Sequence, residues 1–130
     1  MRIYVAASYS RIVKARELAT QLVDAGHEIT STWLSETHPP NVQLVDLDPC
    51  DLAVHATLDL ADIDRADAIV LLAEPPTAQP PRGSRHVEFG YAIAKGLQLW
   101  VIGDEPENLF HYLPYVHLVE TVQEIPSAKR

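Results

Sequence analysis

The sequence predicts a three-layer α/β fold whose central sheet has about five mostly parallel strands, arranged in the doubly wound manner of Rossmann- and flavodoxin-like proteins. Short β-branched and aromatic runs alternate along the chain with segments of helical periodicity. Residues 68–73 (AIVLLA) are apolar throughout, as is typical of a strand whose two faces are both covered. Alternating strands and helices imply right-handed crossovers, which leave the strands parallel and the helices on both faces of the sheet.

Five strands are predicted, at residues 2–7, 27–33, 68–73, 97–102 and 116–119. A first helix lies between the first two strands, because apolar side chains recur at helical spacing until Ala25-Gly26 stops the pattern. A second helix is predicted from about Pro49 to Ala66, with Asp48 as its N-cap.

A third helix is predicted in the stretch RGSRHVEFGYAIAKG, with Ser84 as a candidate N-cap, and a final helical turn is expected from Glu120. Parallel α/β sheets bind ligands at the carboxyl ends of their strands, near the point where the strand order reverses. The segments 7–11, 74–88 and 103–111 follow predicted strands at that edge. We therefore expect the functional residues in and around these three segments.

Composition favours a single domain over residues 1–130, since 47% of the 130 residues are hydrophobic and 22% are charged. The formal net charge of −8 argues against a nucleic-acid backbone or an anionic membrane as the partner, because both select basic surfaces. One cysteine, Cys50, allows no internal disulfide, and no apolar run is long enough for a membrane span or a signal segment. We expect a cytoplasmic protein.

Several common catalytic motifs are absent from the sequence. It contains no Gly-x-Gly-x-x-Gly after the first strand, no Gly-x-x-x-x-Gly-Lys-Ser/Thr and no Gly-x-Ser-x-Gly. Its six histidines form no His-Glu-x-x-His and no close pair with the cysteine. We therefore expect neither a metal site nor a cofactor.

Glu88 lies four residues after Ser84, so it is predicted in the first turn of the third helix. There the helix dipole and the free N–H groups favour the ionised carboxylate. An ordinary helix acid would have the same position. However, the loop before it follows a buried strand, and this favours a place at the ligand crevice.

The second helix carries further carboxylates. On a helical wheel its apolar stripe is formed by Leu52, Ala56, Leu60 and Ile63. Asp59 falls on the edge of this stripe, where a carboxylate needs a partner, a hydrogen bond or an open cavity. It therefore either caps a neighbouring loop or faces the crevice. Asp62 and Asp64 lie further round, in positions typical of a solvated helix face.

Glu88 and Asp59 together fit glycosyl transfer. That chemistry needs one anionic carboxylate, which attacks or stabilises the anomeric carbon, and one carboxyl group desolvated enough to hold a proton for the leaving group.

Four segments resemble the nucleoside 2-deoxyribosyltransferase family and its relatives, the 2′-deoxynucleoside 5′-phosphate N-hydrolases. They are RIYVAASYS, DLADIDRAD before an apolar strand, HVEFGYAIAKG and PENLFHYLP. The resemblance covers the chain from Met1 to about Val119. The order and spacing of these segments make the resemblance stronger than any one of them does.

The resemblance implies roles for individual residues. Glu88 matches the nucleophile that forms a covalent deoxyribosyl-enzyme, and Asp59 matches the acid that handles the proton of the base. Tyr4 matches a tyrosine that hydrogen-bonds the nucleophile. Asn108 matches an asparagine that a neighbouring subunit offers to the sugar 5′-hydroxyl, and Phe110 matches an apolar residue beside it. Without the resemblance, Tyr4 could equally be a core aromatic residue and Asn108 a turn residue.

The sequence also departs from the transferase pattern. Arg82 stands where the transferases carry an acidic residue that helps to recognise the base, and Ser84 stands where glycine is common. A 5′-phosphate could be held jointly by Ser8, Ser10, Arg82, Ser84 and Arg85, unless the arginines belong to a solvated loop. Asp62 is also placed among the substrate contacts.

The expected activity is base exchange on 2′-deoxynucleosides through a covalent intermediate on Glu88, with net retention. Two alternatives stay open: N-glycosidic hydrolysis of 2′-deoxynucleoside 5′-monophosphates, and a nucleotide-binding module without catalysis. The expected partners are a deoxynucleoside or deoxynucleotide, a free nucleobase and further copies of the chain, because the role of Asn108 requires a neighbouring subunit.

Overall fold

A computed structural model describes residues 1–36, 47–75 and 83–128 of the chain. Within them the strands are β1 (Arg2–Ala6), β2 (Glu28–Ile29), β3 (Ala68–Leu72), β4 (Gln98–Ile102) and β5 (Val116–Val119). The α-helices are α1 (Ile12–Asp24), α2 (Pro49–Asp64) and α3 (Ser84–Lys95). Short 3₁₀ turns lie at Tyr9–Arg11, Thr32–Ser35, Leu109–Tyr112 and Val122–Glu124.

The five strands form one parallel sheet in the order β2-β1-β3-β4-β5. The chain leaves β1 for β2 on one side and returns to β3 on the other, so the strand order reverses between β1 and β3. Right-handed crossovers place α1 on one face of the sheet and α2 and α3 on the other. The predicted fold class is thereby confirmed as a flavodoxin-like parallel sheet between helices. All five residues of β3 are buried, as the run AIVLLA predicts.

The second strand is much shorter than the predicted 27–33, because only Glu28–Ile29 pairs with β1. Side chains replace the backbone ladder beyond that point. The Ser31 hydroxyl accepts from the Val5 N–H at 2.5 Å, and the Trp33 indole N–H donates to the Val5 carbonyl at 2.8 Å. These bonds turn the chain into the 3₁₀ turn Thr32–Ser35 instead of extending the strand.

Helix α2 begins as predicted, since the Asp48 side chain accepts from the Cys50 N–H at 2.8 Å and Pro49 is the first helical residue. The predicted apolar stripe is wrong, however. Of its four members only Ile63 is buried, and Ala56 and Leu60 are exposed. The reason is that α2 packs mainly on α3 and on the Thr32–Ser35 turn, so the sheet does not select its buried face. In the described ranges no helix is both long and apolar enough to cross a membrane.

Candidate functional site

Two side chains from neighbouring elements meet at the carboxyl edge of the sheet. Tyr4 is in the middle of β1 and is completely buried, and its hydroxyl donates a hydrogen bond to Glu88 Oε2 from α3. Glu88 is also buried, with 9% of its surface exposed. This is the contact that the resemblance implies between the tyrosine and the carboxylate.

Helix α3 begins one residue earlier than predicted, because the predicted N-cap Ser84 is already helical. Gly83, in the left-handed conformation, occupies the N-cap position, and Ser84 is the first helical residue. Glu88 is therefore the fifth residue of α3 and lies beyond the first turn, where the stabilisation of anions by the helix end has fallen off.

Burial consequently decides the charge of Glu88. Loss of solvent raises the pKa of Glu88 to about 8, with further increases from the negative charges of Asp59 and Asp62. The hydrogen bond from Tyr4 acts in the opposite direction and lowers this pKa. The prediction that the helix end holds Glu88 ionised is thus wrong.

Asp59 projects from α2 and is half-buried. Burial raises the pKa of Asp59 to about 6, with additional repulsion from Glu36 and Asp62 and an opposing effect of His55. Its Oδ1 atom is buried and has no hydrogen-bond partner. A carboxyl oxygen in that state favours the alternative in which Asp59 faces a cavity over the one in which it caps a loop.

Asp62 is the carboxylate that holds a neighbouring loop. Its Oδ2 accepts from the Thr32 N–H at 2.8 Å and from the Thr32 hydroxyl at 2.7 Å, and its Oδ1 accepts from Arg65 at 2.7 Å. With 2% of its surface exposed, Asp62 is not on a solvated helix face, and that prediction is corrected. The change follows from the packing of α2 on the Thr32–Ser35 turn. Both oxygens of Asp62 thus have hydrogen-bond partners within the chain. A direct substrate contact by Asp62 stays a prediction.

The hydroxyl groups that could hold a phosphate lie on two loops. Ser8 and Ser10 follow β1 and hydrogen-bond each other, with 2.8 Å between their Oγ atoms. Ser84 is exposed at the start of α3. Arg82 lies outside the described residues, so its proposed contacts stay a prediction.

Arg85 does not belong to this group, which corrects the prediction of a phosphate contact. Its guanidinium is 4% exposed, and both Nε and Nη2 donate to Glu107 Oε1 at 2.6 Å. A buried guanidinium that already has a carboxylate partner is not free to bind a second anion.

Asn108 caps the 3₁₀ turn after β4, because its side-chain oxygen accepts from the Phe110 N–H at 3.0 Å. That is the turn role left open by the sequence. The Phe110 side chain points outward and is 56% exposed. The exposure of this segment is what a contact with a second subunit would require.

Sequence reasoning missed three polar residues that lie close together: His111, which is buried, and His86 and Glu107, which are partly buried. His86 Nε2 lies 3.0 Å from Glu107 Oε1, and the His111 ring packs edge-on against Phe89 at 5.1 Å. Burial lowers the pKa of His111 to about 4, so this ring is neutral at physiological pH. These residues belong to no sequence motif, because each lies singly in a different helix, loop or turn. In the described ranges no three His, Cys, Asp or Glu side chains form a group that could hold a metal ion.

The chain is similar to several solved structures. A 2-deoxyribosyltransferase from Bacillus psychrosaccharolyticus matches with a TM-score of 0.65 and 17% identity, over 98% of this chain and 97% of the other. A CMP N-glycosidase from Clostridium botulinum matches with a TM-score of 0.59 and 18% identity, over 95% and 92% of the two chains. A conserved protein from Enterococcus faecalis V583 matches with a TM-score of 0.59 and 14% identity, over 95% and 92%.

No protein-family model and no curated protein matches the sequence. Identities of 14% to 18% establish a common fold and leave the reaction undecided. The likeness nevertheless spans almost the whole length of both chains in each pair. The chain therefore has the fold of the nucleoside 2-deoxyribosyltransferases.

Proposed function

We propose that this chain is a nucleoside 2-deoxyribosyltransferase, which exchanges the base of a 2′-deoxynucleoside through a covalent deoxyribosyl intermediate on Glu88. The observation that carries the proposal is the arrangement around that residue. Glu88 is buried and bonded to Tyr4, while Asp59 offers a buried oxygen with no partner. Such a pair of desolvated carboxyl groups, on a fold shared with a deoxyribosyltransferase, fits cleavage of an N-glycosidic bond.

In the first half-reaction a Glu88 carboxylate oxygen forms a bond with C1′ as the bond between C1′ and the base nitrogen breaks. The electron pair of that bond goes to the base, which takes the proton of Asp59. In the second half-reaction a nitrogen of a new base attacks C1′, the ester to Glu88 breaks, and Asp59 receives the proton that the new base loses. Two inversions at C1′ give net retention.

The reaction starts from the less populated of two protonation states. With a pKa of about 8 for Glu88 and about 6 for Asp59, the shared proton lies mainly on Glu88. The reactive state has the proton on Asp59 and is the less populated of the two. The Tyr4 hydroxyl favours the ionised form of Glu88. The positive charge that develops at C1′ increases this preference in the transition state.

The remaining contacts are assigned to the ends of the substrate. Ser8, after β1, and Ser84, at the start of α3, are assigned to the sugar side of the substrate, and Arg82 is assigned to the base or to a phosphate. Asn108 reaches the 5′-hydroxyl of the sugar in a neighbouring subunit, and Phe110 lies beside it. The chain therefore acts as a homo-oligomer with shared sites.

A second candidate is N-glycosidic hydrolysis of a 2′-deoxynucleoside 5′-monophosphate, in which water resolves the intermediate. The observation in its favour is the pair of hydroxyls at the carboxyl end of β1, since Ser8 and Ser10 lie within 2.8 Å of each other. Phosphate oxygens accept hydrogen bonds from such groups. The fold is also shared with a CMP N-glycosidase. A module that binds nucleotides without turnover would use the same crevice.

One set of incubations separates the three candidates. The protein is mixed with a 2′-deoxynucleoside and a different free base, and in parallel with the corresponding 5′-monophosphate. Formation of the exchanged nucleoside supports the transferase, whereas release of deoxyribose 5-phosphate supports the hydrolase. Saturable binding without any cleavage supports the module.

The nucleophile is tested with Glu88→Gln, which we expect to reduce turnover at least about 1,000-fold because no covalent intermediate can form. Glu28→Gln is the control, since that carboxylate is exposed on β2 at the opposite end of the sheet. Mass spectrometry with a 2-fluoro deoxynucleoside should detect a sugar adduct on Glu88 in the wild type. Wild-type turnover by Glu88→Gln would exclude this role.

A further inference from the structure

The carboxylate of Glu107 joins three separate segments of the chain at the carboxyl edge of the sheet. Its Oε1 accepts from Arg85 Nε and Nη2, both at 2.6 Å, and lies 3.0 Å from His86 Nε2. Its Oε2 accepts from the backbone N–H of Glu74, just beyond β3. The Glu107 N–H lies 3.3 Å from His111 Nδ1. One side chain thus connects the end of β3, the first turn of α3 and the loop after β4.

The ion pair at the centre of this cluster is buried, with 4% of Arg85 and 13% of Glu107 exposed. Removing two charges from water costs free energy, and an apolar pair of similar size often gives equal stability. Stability alone therefore does not account for a charged pair here. What such a pair provides is a fixed geometry, because a planar guanidinium that contacts one carboxylate oxygen through two of its nitrogens allows few arrangements.

We propose that the Arg85–Glu107 ion pair is a positioning device, which holds the first turn of α3 against the loop that carries Asn108. Arg85 lies one helical turn before Glu88, so fixing its guanidinium fixes the turn from which Glu88 projects. Glu107 directly precedes Asn108 in the chain, so holding Glu107 in place also restricts the position of Asn108. The pair touches no substrate in the proposed reaction and acts through these two neighbours. This inference rests on the proposed function for its catalytic consequence.

The matched test replaces the pair by apolar side chains in the double variant Arg85→Met/Glu107→Leu. We expect this variant to fold, since neither charge is left unpaired. Its kcat should fall roughly 10- to 100-fold, because small displacements of a reacting group have effects of that size. The KM for the nucleoside should stay within twofold of wild type. The apparent pKa values of the two limbs of the pH profile should not shift. Arg85→Lys, which keeps the charge without the planar fork, should give an intermediate kcat and serves as the test if the double variant does not fold.

The control is Lys95→Met at the other end of α3, where Lys95 pairs with Asp64 at 3.0 Å on the surface. Exposed pairs of this kind contribute little, so we expect no change in kcat. A double variant with the kcat of wild type would overturn the proposal. A shifted pH limb would also overturn it, since the pair would then act on the charge of Glu88 and not on its position.

Amide hydrogen exchange gives a readout that needs no enzymatic activity. We expect the amides of α3 near Glu88 and those of the Asn108–Phe110 turn to exchange faster in the double variant, and not in Lys95→Met. Unchanged protection of both segments would overturn the proposal whatever the reaction is. Faster exchange in a protein that cleaves no nucleoside or nucleotide would keep the positioning device and refute the proposed function.

Discussion

Glu88 combines two properties that oppose each other. In the proposed reaction its carboxyl group must lose a proton to attack C1′, yet its burial favours the protonated form and raises its pKa to about 8. The Tyr4 hydroxyl offsets only part of this effect. The ionised residue therefore destabilises the folded chain at the pH where it would react, a compromise that is common at functional sites.

This conflict predicts how stability depends on pH. Because the pKa of Glu88 is higher in the folded chain than the ordinary 4.5, the unfolded chain loses its proton first as the pH rises. The stability contributed by Glu88 is complete below pH 4.5, falls as the pH rises to about 8, and stays at its lower value above that. Glu88→Gln should abolish this fall. The variant should exceed the wild type in free energy of unfolding by up to about 5 kcal/mol at pH 9, and match it near pH 4.5.

The measurement is urea unfolding of both proteins at pH 5, 7 and 9, followed by circular dichroism. Glu28→Gln, at an exposed position on β2, should follow the wild type at every pH. A Glu88→Gln protein that is less stable than wild type at pH 9 would contradict the assigned cause, because the neutral side chain would then be the costlier one to bury.

Single residues differ in how far the sequence predicts them. The sequence singles out Asp59 at the edge of the predicted apolar stripe and Glu88 after a loop that follows a buried strand, and the resemblance pairs Glu88 with Tyr4. The burial of Asp62 could not be found, since the wheel assumed that α2 packs on the sheet. The same limit applies to Arg85 and Glu107. Their pairing depends on how the start of α3 packs against the loop after β4, and no local sequence pattern predicts that packing.

At the level of elements, β1, β3 and β4 lie within one residue of their predicted ends and β5 coincides with its prediction. Continuous apolar runs with clear flanks account for this agreement. The failure at β2 has a physical cause, because Ser31 and Trp33 use their side chains to bind the backbone of β1. The β-propensity of residues 27–33 suggests a strand over the whole segment. Hydrogen bonds from side chains to β1 end the strand after Ile29.

The junction after β4 yields a prediction about packing. A Cβ added at Gly103 would lie 2.9 Å from the Cβ of Ala73, which is closer than ordinary side-chain contacts allow. Both residues follow strands that are hydrogen-bonded to each other, so the backbone cannot easily move apart. Gly103→Ala should reduce the free energy of unfolding by about 1–3 kcal/mol.

Gly90→Ala is the matched control, because a Cβ there meets no atom within 4 Å and the residue is inside helix α3. Alanine should stabilise the helix by up to about 1 kcal/mol relative to glycine. Thermal unfolding of the two variants should therefore shift in opposite directions from the wild type. Equal melting temperatures for Gly103→Ala and wild type would show that β3 and β4 can separate without cost.

At the level of the whole molecule, the alternation of strands and helices predicts the parallel sheet, and the rule for right-handed crossovers restricts the strand order. What this reasoning leaves open is the surface. Around β5, which is an edge strand, large apolar side chains are exposed at Leu109, Phe110, Tyr112, Tyr115 and Leu118. We call this set the edge patch. Exposed apolar groups of this kind beside an unpaired strand edge are typical of a surface that contacts another protein.

We expect the edge patch to be covered in a homo-oligomer. Sedimentation velocity should give a dimer or a larger assembly for the wild type at micromolar concentration. The double variant Phe110→Ser/Tyr115→Ser should shift the distribution toward monomer, because it removes two large apolar groups from the contact. Val13→Ser, at an equally exposed position on α1, should leave the assembly unchanged. A monomeric wild type at assay concentration would contradict the prediction.

Shared sites predict a further result when two inactive variants are combined. In a dimer, Glu88→Gln lacks the nucleophile of its own crevice, while Asn108→Ala lacks the group that it offers to its neighbour. A dimer with one chain of each variant contains one intact crevice, in which Glu88 comes from the Asn108→Ala chain and Asn108 comes from the Glu88→Gln chain. After unfolding and refolding of an equal mixture, about a quarter of all crevices should be intact in a dimer with two-fold symmetry. Turnover should recover to about that fraction of wild type, whereas no recovery would mean that Asn108 serves the crevice of its own chain. An Asn108→Ala variant that is active by itself would mean that Asn108 serves neither.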